Sequence, residues 1–234
     1  MTEREKCQLG LLYDTTFPGR GEDNLRCLDL CHEFNQMKPS DLAGREAILR
    51  KILHKVGKNV RAEQNIYISF GYNIEAGDNL FINHNCVFLD PGKITFGDNV
   101  FIGPCCGFYT AHHPIDAGLR NLMLEYAFPI TVGSNVWFGG HCCVAPGVTI
   151  GSDVVIGAGS VVVHDIPDHV VAAGNPCRVI RPITEADREA RRAVRKENKS
   201  QKRPAAHAAG LSYVKELDQR RLPLGTRGAV SKAD

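Results

Sequence analysis

An apolar residue at every sixth position is the feature that leaves this chain the fewest folds. Val132, Phe138, Val144, Ile150, Ile156 and Val162 stand six apart, Phe96, Ile102 and Phe108 share their phase, and Phe70, Ala76, Ile82 and Phe88 repeat it displaced by two residues. A helix repeats every 3.6 residues and a strand every 2, so a period of six belongs to neither alone. It fits a stack of similar supersecondary units. Small or aliphatic residues follow four positions later, at Ile74, Leu80, Cys86, Val100, Cys106, Val136, Cys142, Val148, Val154 and Ser160. Glycine follows immediately at Gly71, Gly77, Gly97, Gly103, Gly133, Gly139, Gly151 and Gly157, while Asn83, Leu89, Tyr109, Ala145 and Val163 fill the other slots. Two hexads with glycine and one without predict an 18-residue superperiod: three short strands closing one coil of a triangular prism. Residues i and i+4 then point inward, and glycine at i+1 permits corner conformations that a β-carbon would oppose. A β-sandwich with coincidental spacing is the alternative, and thirteen positions in phase argue against it.

The pattern lapses between Tyr109 and Pro129, so about twenty residues leave the prism as a loop, and long loops in compact repeats are commonly functional. This loop opens Tyr109-Thr110-Ala111-His112-His113-Pro114-Ile115-Asp116, the densest patch of chemically capable side chains in the sequence. Upstream, residues 41–53 read as a helix with Ser40 as N-cap, Leu49, Ile52 and Leu53 on one face and Gly57 as the stop. Residues 25–34 read as a second helix, and Pro18-Gly19 and Gly21 favour a loop before it. The expected organisation is an N-terminal helical cap at residues 1–60, a β-helical domain at 61–182 with a catalytic loop at 109–129, and a basic tail at 183–234.

Composition narrows the class. Apolar residues make up 43% of the 234, enough for a substantial core, yet no stretch approaches the length of a membrane span and the first residues lack the apolar run of a signal peptide. The expectation is a soluble cytoplasmic protein with no membrane partner, its nine cysteines reduced. None has the paired CxxC spacing of a structural zinc site. The net charge of +2 is a property of the tail, where residues 183–234 hold 13 Lys and Arg against 7 Asp and Glu. That tail lacks aromatic interleaving and carries several carboxylates, so a solvated segment is favoured over a nucleic-acid arm.

With the hexads, the His113-Pro114 loop, Ile130-Thr131-Val132-Gly133-Ser134-Asn135-Val136-Trp137-Phe138-Gly139-Gly140 and Val171-Ala172-Ala173-Gly174-Asn175-Pro176-Cys177-Arg178-Val179-Ile180, the sequence resembles the hexapeptide-repeat acyltransferases, specifically the maltose, galactoside and nodulation-factor O-acetyltransferase group. The resemblance spans about residues 5–183 and includes a helical cap over roughly residues 5–58. It implies a left-handed parallel β-helix, a hand opposite to the usual crossover rule. It also implies a homotrimer whose active sites lie in grooves between subunits, with acetyl-CoA as cosubstrate and no permanently bound cofactor.

The same resemblance implies that His113, directly before the proline, is the catalytic base. An imidazole can take the proton of an attacking hydroxyl and return it to the departing thiolate, with no covalent enzyme intermediate and no metal. Glu125 is a candidate for orienting it, and His112 falls off the motif position. Asp14, Ser69 and Asn83 match acceptor-binding positions. Trp137, Gly140, Ala158, Val163, His164, Arg178 and Arg181 match CoA contacts, with Gly140 able to bring a backbone N–H to the thioester oxygen and the two arginines suited to phosphates. Many relatives carry threonine and lysine where this chain has Val163-His164, which removes a fixed cation.

The implied activity is O-acetylation of a sugar or related small alcohol. A secondary-metabolite hydroxyl or amine is an alternative acceptor. Two further alternatives are a zinc enzyme similar to γ-class carbonic anhydrases, using His84, His113 and His141, and a noncatalytic trimeric scaffold.

Overall fold

The computed structural model describes residues 1–189, and Met1–Ile183 form one compact unit. Three helices open the chain: α1 (Glu3–Gln8), α2 (Arg20–Gln36) and α3 (Leu42–Ile52). Short strands then wind a parallel β-helix whose three flat sides are sheets of five, five and seven strands. A final strand, Arg178–Pro182, turns back antiparallel on Val170–Ala173 at the upper end of the seven-stranded side. No helix among the described residues is long and apolar enough to cross a membrane.

Strand register shows how the hexads stack. In the upper coils Val132 lies beside Ile150, Phe138 beside Ile156 and Val144 beside Val162, the 18-residue coil that the spacing predicts. In the lower coils the interval is 20: Ala62 pairs with Ile82, Ile68 with Phe88 and Ala76 with Phe96. Two extra residues enter each lower coil at one corner, at residues 69–73 and 89–93, and this produces the two-residue phase displacement. Ile68, not Phe70, is therefore the inward residue of its hexad. Phe70 is buried instead beneath the cap, with the Arg20 guanidinium 5.2 Å from its ring centroid. The same corner releases residues 109–129, so Phe96 meets Val132 across an interval of 36.

The repeated residues and those four positions later are buried throughout the prism. Phenylalanine fills its middle coils: Phe108 stacks on Phe88 at 5.3 Å and meets Phe96 and Phe138 edge-on at 5.2 Å each. Cys86, Cys106, Cys142 and Ser160 form an interior column, and each donates to a glycine carbonyl at the corner. All nine cysteines are free thiols.

The glycines act by size more than by dihedral. Among the eight at i+1 only Gly71 has a positive φ, +74°. The others sit where the next coil passes: a β-carbon on Gly97 would lie 2.7 Å from the carbonyl carbon of Gly133, and one on Gly133 would lie 2.8 Å from that of Gly151. The left-handed residue comes two positions later, and at one corner it is asparagine in four coils, Asn59, Asn79, Asn99 and Asn135, a residue that tolerates that region. Asn59, Asn79, Asn99 and Asn135 each donate through the side-chain amide to the next coil, at 2.8, 2.8, 3.0 and 3.1 Å, ending on Asp153.

The cap closes the lower edge of the prism. Asn24 donates to Ser69 O, Asn35 exchanges two hydrogen bonds with Ile66, and Arg45 donates to Ala62 O, so side chains satisfy backbone groups that a missing coil would have paired. The helix boundaries differ from those read in the sequence. Asp41, whose carboxylate accepts from Gly44 N–H, caps α3 in place of Ser40. That helix ends at Ile52, leaving Gly57 to the first prism corner. The second helix starts at Arg20, just after left-handed Gly19, and absorbs much of the expected loop. The first prism strand, Lys55–Val56, already pairs with the coil above it.

One buried carboxylate sits at the insertion corner. Asp90 is fully buried and accepts from Phe70 N–H and Gly71 N–H at 2.9 and 2.7 Å. Burial pushes its pKa up to about 7, with the two N–H donors pulling the other way. The folded state then binds more protons than the unfolded chain between about pH 4 and 7, so this group's stabilisation is full at low pH and is lost as pH rises through that window. In urea unfolding, the stability advantage of the wild type over Asp90→Asn is expected to be larger at pH 5 than at pH 7.5. A gap that widens with pH would show the N–H donors winning over burial.

Candidate functional site

The excursion at residues 109–129 is ordered. Ala111–His112 and Leu124–Ala127 pair antiparallel, with the short helix α4 (Ala117–Arg120) at the tip, capped by Asp116. The cap supplies the third strand: Tyr13–Asp14 pairs with Leu124–Ala127, placing Tyr13 opposite Glu125 and Asp14 opposite Leu124. Thr15 adds backbone and hydroxyl hydrogen bonds to Met123 O at 3.1 and 2.8 Å. On the other side of this sheet His112 is exposed, its ring 6.3 and 6.2 Å from those of Tyr126 and Phe128.

His113 projects from this platform, its side chain 44% exposed. Its Nδ1 lies 2.9 Å from Leu124 O. A carbonyl only accepts, so Nδ1 carries the hydrogen and the lone pair of the neutral ring belongs to Nε2. Glu125 Oε1 stands 3.4 Å from Nε2, and that carboxylate is only 13% exposed. Its other oxygen accepts from the Tyr13 hydroxyl at 2.6 Å and faces Arg20 Nη2 at 3.4 Å. A proton arriving on Nε2 would thus create an imidazolium facing a fixed anion. Tyr13 and Arg20 contact this candidate group and are not singled out by the sequence. Nothing in local spacing marks them, because a fully buried tyrosine outside every element that the sequence suggests acquires meaning only when the cap folds against the excursion.

Asp14 lies beside this group. Its carboxylate accepts from the Thr16 hydroxyl and N–H at 2.7 and 2.8 Å, which holds its pKa below the ordinary carboxylate value. Ser69 is buried at the insertion corner under Asn24. The remaining candidates lie elsewhere on the prism. Asn83 stands at the column that continues through Gly103, Gly139 and Gly157, and its side-chain oxygen accepts from His84 N–H at 2.8 Å. Gly140 and Ala158 sit one residue further along the upper coils. The N–H of Gly140 has no hydrogen-bond acceptor among the described residues. Trp137 faces outward on the seven-stranded side, which also carries Arg178 and Arg181 in its terminal strand. Val163 and His164 follow a strand of a different side. His84 and His141 occupy corner positions, separate in sequence and element from the loop that bears His113.

The outward residues of the three sides differ. One side presents Lys55, Glu75, Thr95, Thr131 and Thr149. The second begins with the exposed Arg61 and continues with Phe81, Phe101, Trp137, Val155 and Val171, with Phe101 and Trp137 50% and 42% exposed, and the third presents Tyr67, Val87, Cys143 and Val161.

Comparison with known proteins matches this architecture. Residues 6–57 match the maltose acetyltransferase hexapeptide capping motif and residues 129–164 the bacterial transferase hexapeptide of six repeats. A putative acetyltransferase of Saccharomyces cerevisiae is 52% identical over 156 residues, 67% of this chain and 80% of that protein. Galactoside O-acetyltransferase of Escherichia coli is 43% identical over 188 residues, 80% of this chain and 93% of that protein. Among solved structures, a maltose O-acetyltransferase from Clostridium difficile superposes with a TM-score of 0.77 at 48% identity, covering 79% of this chain and 98% of the other. A galactoside acetyltransferase in complex with coenzyme A superposes at 0.78 with 43% identity, covering 80% and 94%. The fold is the left-handed parallel β-helix that the resemblance implies. With its cap, its hexads and nearly the full length of these relatives in common, the chain belongs to the hexapeptide-repeat acetyltransferases.

Proposed function

We propose that this enzyme transfers the acetyl group of acetyl-CoA directly to a hydroxyl of a sugar or related small alcohol, with His113 as the general base. The observation that carries the reading is the Leu124 O, His113, Glu125 arrangement, which leaves Nε2 as the basic atom of the neutral ring and sets a carboxylate beside it. In the proposed reaction the acceptor oxygen attacks the thioester carbonyl while its proton moves to Nε2. The tetrahedral intermediate collapses with cleavage of the carbon–sulfur bond, and the proton passes from Nε2 to the CoA thiolate. Glu125 stabilises the transient imidazolium. The N–H of Gly140, without an acceptor among the described residues, suits the developing oxyanion.

Two apolar sides and one polar side suit a homotrimer in which each prism turns its polar side to water. A trimer would bring the base of one subunit to the Asn83 and Gly140 corner of the next, uniting residues that one chain keeps apart. Asp14, Ser69 and Asn83 then offer polar groups to the acceptor. Trp137, Gly140, Ala158, Val163, His164, Arg178 and Arg181 line the path of CoA, with Arg178 and Arg181 suited to its phosphates. Unpaired thiols, seven of the nine buried, suit a reducing cytoplasm.

The names of the relatives make galactosides and maltose the leading acceptors. Loss of thioester absorbance is expected when acetyl-CoA is mixed with enzyme and one of these sugars, with the acetyl ester recovered by mass spectrometry. An acetylated amine in place of the ester, or no turnover with any hydroxylated acceptor, would overturn the proposal.

A further inference from the structure

We infer that Tyr13, carried by the N-terminal cap, is a positioning residue for the acetyl transfer, fixing the Glu125 carboxylate through its hydroxyl so that the opposite oxygen faces His113. The inference rests on His113 being the base and names a residue that acts on it through a second side chain.

The register is the first support. Tyr13 lies directly across the antiparallel pair from Glu125, so backbone pairing delivers the phenol to the carboxylate. Its hydroxyl donates to Glu125 Oε2 at 2.6 Å, the short range of a charge-assisted O–H···O⁻ bond, while Oε1 stands 3.4 Å from His113 Nε2. The carboxylate is therefore held from behind by one group and used in front by another. Tyr13 is itself fully buried and packs edge-on against Phe17 at 6.3 Å, so its ring has little freedom to follow a moving partner. Burial, reinforced by the neighbouring carboxylate, pushes its phenol well above the ordinary tyrosine value, which keeps it a donor. Arg20 Nη2, 3.4 Å from the same Oε2, is braced against the Phe70 ring and adds positive charge behind the carboxylate. Both helpers come from residues 13–20 of the cap, whereas His113 and Glu125 come from the excursion. The cap thus has a task in the reaction besides closing the prism.

Tyr13→Phe keeps the buried ring and deletes only the hydroxyl. It is expected to lower kcat roughly tenfold while the KM values for acetyl-CoA and acceptor stay within twofold, because a carboxylate released by a fraction of an ångström stabilises the imidazolium less. The decisive arm is a double-mutant cycle. In a Glu125→Gln background the same Tyr13→Phe change is expected to cost less than twofold, since its effect passes through the carboxylate. A thermal melt of each variant separates loss of fold from loss of rate. Full kcat in Tyr13→Phe, or an equal loss in both backgrounds, would overturn the inference while leaving His113 as the base. Full activity in His113→Ala would instead remove the base reading, and this inference with it.

Discussion

Replacing His113 with alanine is expected to reduce kcat by roughly 10²–10⁴-fold, the usual contribution of a positioned general base, with little change in the KM for acetyl-CoA. The ring is held by a 2.9 Å hydrogen bond from Nδ1 to Leu124 O and faces Glu125 at 3.4 Å, so alanine removes the proton acceptor without touching the cap strand or the prism. At 44% exposure the side chain contributes little to packing, and the melting temperature should stay within a few degrees of wild type. Glutamine at this position would retain bulk and hydrogen-bonding capacity but no basic nitrogen, and should be as slow as alanine. Steady-state rates for the two variants test this together. A kcat within twofold of wild type in either would place the base elsewhere.

The largest effect on stability is expected from Phe108→Ala. Phe108 has no exposed surface and contacts three other phenylalanines, Phe88 from the coil below, Phe138 from a coil above and Phe96 across the prism. Truncating a buried phenylalanine costs about 3–5 kcal/mol, the upper part of that range applying where the surroundings cannot collapse into the void. Here they cannot move far, because parallel backbone hydrogen bonds set the distance between coils and glycines hold adjacent corners in contact. Urea unfolding monitored by circular dichroism measures the loss. A cost under about 1 kcal/mol would mean that the prism interior relaxes far more than its ladders suggest.

What the sequence makes legible follows from the range of each signal. The prism, its inward columns and the excursion were readable because they are periodic or break a period. An 18-residue coil describes the turns through Val132, Phe138 and Val144, whereas the lower turns take 20 residues and the last, where Ile150 meets Ile166 and Ile156 meets Ala172, takes 16. Phe70 occurs six residues before Ala76 and fits the hexad in sequence, but the two-residue insertion gives its place to Ile68. Glycines at i+1 suggest dihedral freedom in the sequence, whereas most of them answer a close approach between coils, a contact between residues 16 to 37 positions apart. The sequence suggests Ser40 as the cap of this helix, one residue too early, because the Asp41 carboxylate takes the Gly44 N–H instead. His113 and Glu125 were marked by a motif and by the loop that holds them. Tyr13 and Arg20 were not, because their partner lies more than a hundred residues away and only the strand Tyr13–Asp14 brings them to it.

The asparagine column also governs where this chain can grow. Each rung, Asn59 to Asn79 to Asn99 to Asn135 to Asp153, is a hydrogen bond between equivalent positions of successive coils, so residues added at that corner would throw the rungs out of step. The insertion corner has no such column and has already accepted two residues in the lower coils and a whole hairpin at 109–129. New sequence can therefore enter the solenoid through one open port without disturbing its count. His113, the proposed base, sits in the longest sequence that has entered there.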